Sequence, residues 1–177
     1  GGLCPGVKLV TSKPSFNQKL EVKHLNLSQK TKEELNKRFC IIYSGETRLA
    51  SNILTIVEGR YLGYVEESIK AHLRIQDLAL DMCSALEKGN INYFANLLNV
   101  HWEYSKMICT GATNKLIEKI FYFLEDLICG RMICGAGGGG FLQVVLRENV
   151  TKEMLHERLK ETFPETEIDV WDCEIIY

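Results

Sequence analysis

The segment Met132–Leu146, MICGAGGGGFLQVVL, holds the least ordinary chemistry in the chain: five glycines within the six positions Gly135–Gly140, set between two apolar runs. A glycine loses more chain freedom on folding than alanine does, so five of them cost about 2.5–5 kcal/mol against a typical net stability of about 5–15 kcal/mol. A plain hairpin turn needs only one or two. The excess points to a loop whose missing side chains let a backbone or a ligand come close. Its successive N–H groups can also form a nest for an anion. A mobile surface turn without a ligand is the other reading. The run satisfies G-x-G-x-x-G, but the dinucleotide fingerprint needs a helix straight after the loop, and FLQVVL has a strand pattern. No Gly-Lys-Ser/Thr follows, so it is not a Walker-type phosphate loop either.

Further candidates are Ser44, Gly45, Thr47 and Arg48 of SGETR, where a strand gives way to a helix. An exposed helix N-terminus beside an arginine suits an anionic or hydroxyl-rich partner; a solvated or domain-interface salt bridge explains Arg48 equally well. His101 and Trp102 share a helix face with Phe94, Leu97, Leu98, Ser105 and Ile108, which favours core roles for both. Thr110, Gly111, Thr113 and Asn114 read as a turn and helix cap. Seven cysteines, an odd count with no Cys-x-x-Cys, favour neither zinc nor a disulfide framework and suit a reducing, cytoplasmic setting.

The elements that must position these residues follow from periodicity. Residues 5–27 read as two short strands, VKLV and EVKHLNL, joined by a polar loop. A helix is expected over Lys32–Phe39 with Ser28 or Thr31 as cap, then the buried strand FCIIYS. Thr47 is expected to cap a helix carrying Leu49, Ile53, Leu54, Ile56 and Val57. Long helices near 64–88 and 91–108 follow, divided at Lys88–Asn90, and another near 114–128 with Thr113 as cap. Strand, glycine loop and strand fill 132–146, followed by a helix at 151–162 and the strand EIDVWDCEII. From residue 39 the order is that of a split βαβ, ferredoxin-like antiparallel sheet with added helices, an α+β fold with helices over one face.

The 177 residues, 46% hydrophobic and 25% charged, suit one domain, or one domain plus part of another. A net charge of −2 gives no basic excess for nucleic acid, and no apolar run approaches a membrane span. The opening Gly-Gly in place of Met suggests a piece of a longer chain.

The glycine loop resembles the third motif of the GHMP small-molecule kinases. IIYSGETRLASNIL (41–54), HWEYSK (101–106) and CGAGGGGFLQVVL (134–146) together resemble the sugar-1-kinases of the fucokinase and heptose kinase branch, and GGLCPGVKL (1–9) resembles a fucokinase segment that follows Gln-Asp-Gln. Trp102 and Lys106 match a Trp-x-x-x-Lys feature there, whereas Met132 stands where many relatives, heptose kinases especially, carry lysine. The resemblance implies a C-terminal, ferredoxin-like domain over 28–177, with 1–27 as the tail of a preceding N-terminal GHMP domain. It implies that Gly135, Ala136, Gly137, Gly138, Gly139 and Gly140 lie against a phosphate loop and a sugar, that Thr110, Gly111, Thr113 and Asn114 lie on a loop bordering the cleft, and that Ser44, Gly45, Thr47 and Arg48, with Thr113 and Asn114, help bind substrate or nucleotide. The catalytic aspartate would lie upstream of Gly1, and ATP and Mg²⁺ would be held mainly by the absent half. The implied reaction is phosphorylation of L-fucose at its anomeric hydroxyl, a salvage step toward GDP-fucose. This piece alone would be inactive. A heptose kinase of the same family, or a non-catalytic ferredoxin-like ligand-binding module, is the alternative.

Overall fold

A computed structural model describes residues 5–46 and 50–177 of the chain. The N-terminal strands β1 (Lys8–Ser12) and β2 (Leu20–His24) pair only with each other, antiparallel. α1 (Gln29–Arg38) starts on Ser28, whose hydroxyl accepts the Thr31 N–H at 3.1 Å, so of the two candidates Ser28 is the cap. β3 (Phe39–Tyr43) follows directly.

α2 (Ala50–Leu62) leads into α3 (Glu66–Glu87) and α4 (Ile91–Ile108), an antiparallel pair divided where expected. At that break Gly89 takes φ +70° and Asn90 caps α4 through the Tyr93 N–H. Thr47 and Leu49, expected to cap and stripe α2, lie outside the described residues; of the remaining stripe, Ile53 is buried but Leu54 and Ile56 are exposed. α2 is a surface helix that turns only a narrow edge inward.

A single 3₁₀ turn at Thr110–Ala112 leads to α5 (Lys115–Phe123), then β4 (Ile128–Ile133), β5 (Phe141–Leu146), α6 (Lys152–Thr162) and β6 (Asp169–Trp171). The helix expected to reach 128 stops at Phe123, where the chain turns and Leu127 N–H bonds the Leu124 carbonyl. Asn114, not Thr113, caps α5, accepting the Ile117 N–H at 2.9 Å. The last strand is only three residues long; beyond it Ile175 N–H bonds the Asn36 side chain, and the Ile176 carbonyl accepts the Gly6 N–H, so the tail leaves the sheet for α1 and the N-terminal segment.

The main sheet has the order β4-β5-β3-β6, antiparallel throughout. Counting β3, β4, β5 and β6 as first to fourth gives spatial order 2-3-1-4, the expected ferredoxin-like arrangement. Alternate residues point to opposite faces. Cys40, Ile42, Leu142 and Val144 join Ile117, Ile120, Phe121, Leu155 and Leu159 in one cluster. Val145 and Phe39, of opposite parity, join Leu35, Ala95 and Leu98 in another. Helices therefore cover part of the second face too, where one-sided cover was expected.

α4 packs tightly on β4: a Cβ on Gly130 would meet the Ala95 Cα at 2.8 Å. β4 is also an edge strand, and Asn99 of α4 pairs its exposed backbone in place of a neighbour. Its amide donates to the Cys129 carbonyl at 2.8 Å and accepts the Arg131 N–H at 2.9 Å.

Candidate functional site

The loop between β4 and β5 closes a hairpin, since Cys134 N–H bonds the Phe141 carbonyl at 2.8 Å. All five of its glycines take positive φ: 72° at Gly135, 100° at Gly137, 80° at Gly138, 156° at Gly139 and 83° at Gly140. Residues with a Cβ rarely adopt that region. Space adds to this at two of the glycines, forbidding a Cβ at Gly137 and crowding one at Gly139. A Cβ on Gly137 would sit 2.7 Å from both the Cα and the carbonyl oxygen of Ala112, and one on Gly139 would sit 3.1 Å from the Glu46 carbonyl oxygen. Around Gly135 and Gly140 no atom lies within 4 Å of such a Cβ. The loop is threaded between two backbones on one side and open on the other.

Backbone bonds fix this path. Gly138 N–H donates to the Ala112 carbonyl at 2.7 Å, Gly140 N–H to the Glu46 carbonyl at 2.6 Å, and Ser44 N–H to the Gly140 carbonyl at 2.8 Å. Among the described residues, the amides of Gly135, Ala136, Gly137 and Gly139 donate to nothing. Successive N–H groups with no described partner in a glycine-rich turn can form a nest for an oxyanion, such as a phosphate oxygen.

The structure brings most of the sequence candidates to this loop, though few present free polar groups. Ser44 is fully buried, and its hydroxyl lies 3.5 Å from the Glu46 carbonyl it donates to. Gly45 has φ +74° and abuts Ile168. Asn114 donates to the Glu46 carboxylate at 3.0 Å and the Gly138 carbonyl at 3.1 Å. Thr113 donates to Glu118 at 2.6 Å. Thr47 and Arg48 lie outside the described residues.

Sequence reasoning missed Glu46 and Ala112. Both act largely through backbone carbonyls, which side-chain chemistry does not advertise.

Beneath the loop lies a cavity of about 170 Å³ lined by Val57, His101, Ser105, Met132, Gly135 and Ala136, among others. Burial pushes the His101 imidazole below its ordinary pKa, so its neutral form is favoured, and its Nδ1 lies 3.1 Å from the Ser105 hydroxyl. Trp102 is a core residue, 1% exposed and edge-on to Phe121, with the Lys106 ammonium 5.6 Å from its ring centre. A larger cavity of about 450 Å³ lies between α6 and β6, lined by Cys40, His156 and Trp171, and no residue of the glycine loop reaches it. Among the described residues, no three His, Cys, Asp or Glu side chains gather to hold a metal.

The chain is 29% identical over 175 residues, 99% of its length, to a bifunctional fucokinase/GDP-fucose pyrophosphorylase of Arabidopsis thaliana. It is 31% identical over 170 residues, 93% of its length, to an L-fucokinase/L-fucose-1-P guanylyltransferase of Bacteroides fragilis. The chain is thus similar along nearly its whole length to fucokinases, which are GHMP kinases.

It spans only 16% and 17% of those two relatives. A D-glycero-alpha-D-manno-heptose 7-phosphate kinase of Campylobacter jejuni is 28% identical over 127 residues, covering 71% of this chain and 37% of that GHMP kinase. The mevalonate kinase of L. major, solved with R-mevalonate, superposes with a TM-score of 0.73 over 92% of this chain and 47% of its own, at 15% identity. That likeness is one of fold, and the fold is the C-terminal domain of GHMP kinases. No protein-family model matches the chain.

Proposed function

We propose that the chain is the C-terminal part of a sugar-1-kinase that moves the γ-phosphate of ATP to the anomeric hydroxyl of L-fucose, giving L-fucose 1-phosphate for salvage toward GDP-fucose. The observation that carries this reading is the loop of four amides that donate to no described residue, held by backbone hydrogen bonds to Glu46 and Ala112, in a chain aligned along nearly its whole length with proteins named as fucokinases. Phosphoryl transfer depends mainly on positioning and on electrostatic stabilisation of spread negative charge. Backbone amides that are already oriented supply both without rearrangement.

Within that reaction Gly135, Ala136, Gly137 and Gly139 would offer N–H groups to a phosphate or sugar oxygen, and the open side at Gly135 and Gly140 would admit the ligand. Bound ATP supplies the phosphoryl group, and Mg²⁺ offsets its charge. The loop amides fit the phosphate. The metal's ligands are assigned mainly to the preceding half. The aspartate that activates the sugar hydroxyl is likewise assigned upstream of Gly1, so that this chain alone transfers no phosphate.

Residues 1–27 belong to the preceding domain in this reading. Val10, Leu20 and Val22 of its hairpin are 40%, 65% and 46% exposed, as in a sheet awaiting neighbours. Free thiols at the described cysteines suit the cytoplasm, with the sugar as small-molecule partner and neither nucleic acid nor membrane.

The heptose kinase relative favours a second reading, a kinase of D-glycero-D-manno-heptose, against which Met132 replaces the lysine usual there. The test joins this chain to its upstream half and measures ADP release. Turnover of L-fucose is expected. Turnover of a heptose phosphate alone moves the assignment to that sugar, and turnover of neither leaves a non-catalytic module.

A further inference from the structure

We propose that Glu46 and Asn114 form a positioning pair that locks the glycine loop in its phosphate-ready shape; its role in turnover rests on the kinase reading above. Five glycines make this loop intrinsically free, so its order must be imposed from outside. The imposition comes from two segments remote in sequence. Glu46 follows β3 and accepts Gly140 N–H through its carbonyl, while its carboxylate accepts the Asn114 amide at 3.0 Å. Asn114, at the start of α5, donates at 3.1 Å to the Gly138 carbonyl. The Glu46 backbone, Gly140, Gly138, Asn114 and the Glu46 side chain thus close a ring around the loop's second half.

Capping of α5 does not explain this choice of residue. Asn114 accepts the Ile117 N–H through its side-chain oxygen, and aspartate or serine caps a helix as well as asparagine does. Only an amide adds two donors, and here one goes to Glu46 and the other to the loop. A carboxylate at 46 is the matching acceptor. The Asn114 side chain spends its amide on Glu46 and the loop and its oxygen on the α5 cap, so it acts on the reaction through the loop.

The distinguishing variant is Asn114→Asp in the parent chain. It keeps the α5 cap, removes both donors and sets a second carboxylate beside Glu46. Losing these bonds is expected to raise hydrogen exchange of the segment 134–141 by about tenfold and lower kcat by about 10–100-fold, with sugar KM changed less than about threefold. The swap Glu46→Gln with Asn114→Asp restores one amide–carboxylate bond with the roles reversed. It should return exchange protection and bring kcat back to within about fivefold of wild type. Glu46→Ala, which keeps the backbone carbonyl but no carboxylate, should loosen the segment as Asn114→Asp does, even if the aspartate variant folds poorly.

Wild-type exchange in Asn114→Asp or Glu46→Ala overturns the pair, and so does a swap no better protected than Asn114→Asp. Loosened exchange with unchanged kcat overturns its role in turnover. A wild-type parent chain that phosphorylates no sugar refutes the kinase reading, while exchange still decides whether the pair holds the loop.

Discussion

Gly137→Ala tests the claim that the glycine run is shaped by its packing. At Gly137 φ is +100°, and an added Cβ would stand 2.7 Å from the Ala112 Cα and carbonyl oxygen. The left-handed backbone costs an L-residue about 1–2 kcal/mol. Backbone lies on both sides of the overlap and cannot swing away like a side-chain tip, so relief costs about 1–3 kcal/mol more. Moving Ala112 also weakens the 2.7 Å bond from Gly138 N–H, worth about 1 kcal/mol. A stiffer unfolded chain returns about 0.4–1 kcal/mol, leaving a net loss of about 2–6 kcal/mol. Gly135→Ala is the control: φ is +72° but the space is open, so the net loss is about 0.5–1 kcal/mol. Denaturant unfolding of the two variants, followed by fluorescence of the buried Trp102, measures the difference. Losses equal to within about 0.5 kcal/mol would refute the packing argument, because only the overlap separates the two sites.

Three further outcomes follow from single residues. Asn99→Ala leaves the Cys129 carbonyl and Arg131 N–H of the edge strand unpaired and should lower unfolding free energy by about 2 kcal/mol; a loss under about 0.5 would contradict the edge-pairing role. Burial pushes the Cys40 thiol up to about 12, so iodoacetamide at pH 8 should spare it in the folded protein and label it in denaturant, as read by mass spectrometry; labelling at equal rates in both states would count against that burial. Burial also lowers the His101 pKa, so the unfolded chain takes its proton first and stability falls as pH drops below the ordinary histidine value. The melting temperature of wild type should therefore decline more between pH 7.5 and 5.5 than that of His101→Gln; parallel declines would place the acid sensitivity elsewhere.

The fold was legible wherever local pattern and tertiary outcome agreed. KGN at Lys88–Asn90 separates α3 from α4 because glycine takes the positive φ and asparagine the cap. The strand pattern of FLQVVL excluded a dinucleotide loop, and β5 is a strand. Elsewhere periodicity misled. Ile117, Ile120, Phe121 and Leu124 keep helical spacing with Leu127 and Ile128, yet the helix stops at Phe123, because the last two are needed by a turn and by β4. EIDVWDCEII reads as one long strand, but hydrogen bonds to Asn36 and Gly6 draw its end out of the sheet. Within the site, the loop and Asn114 were visible as residue types. Glu46 was not, since its contribution depends on a partner 68 positions away.

The central claim is that the unpaired amides of Gly135, Ala136, Gly137 and Gly139 face the transferred phosphate or its sugar acceptor. A crystal structure of the parent chain with L-fucose and a non-hydrolysable ATP analogue tests it directly. A phosphate or sugar oxygen is expected within about 3.2 Å of at least one of those nitrogens. Those amides facing solvent, with both ligands bound elsewhere in an ordered complex, would contradict it.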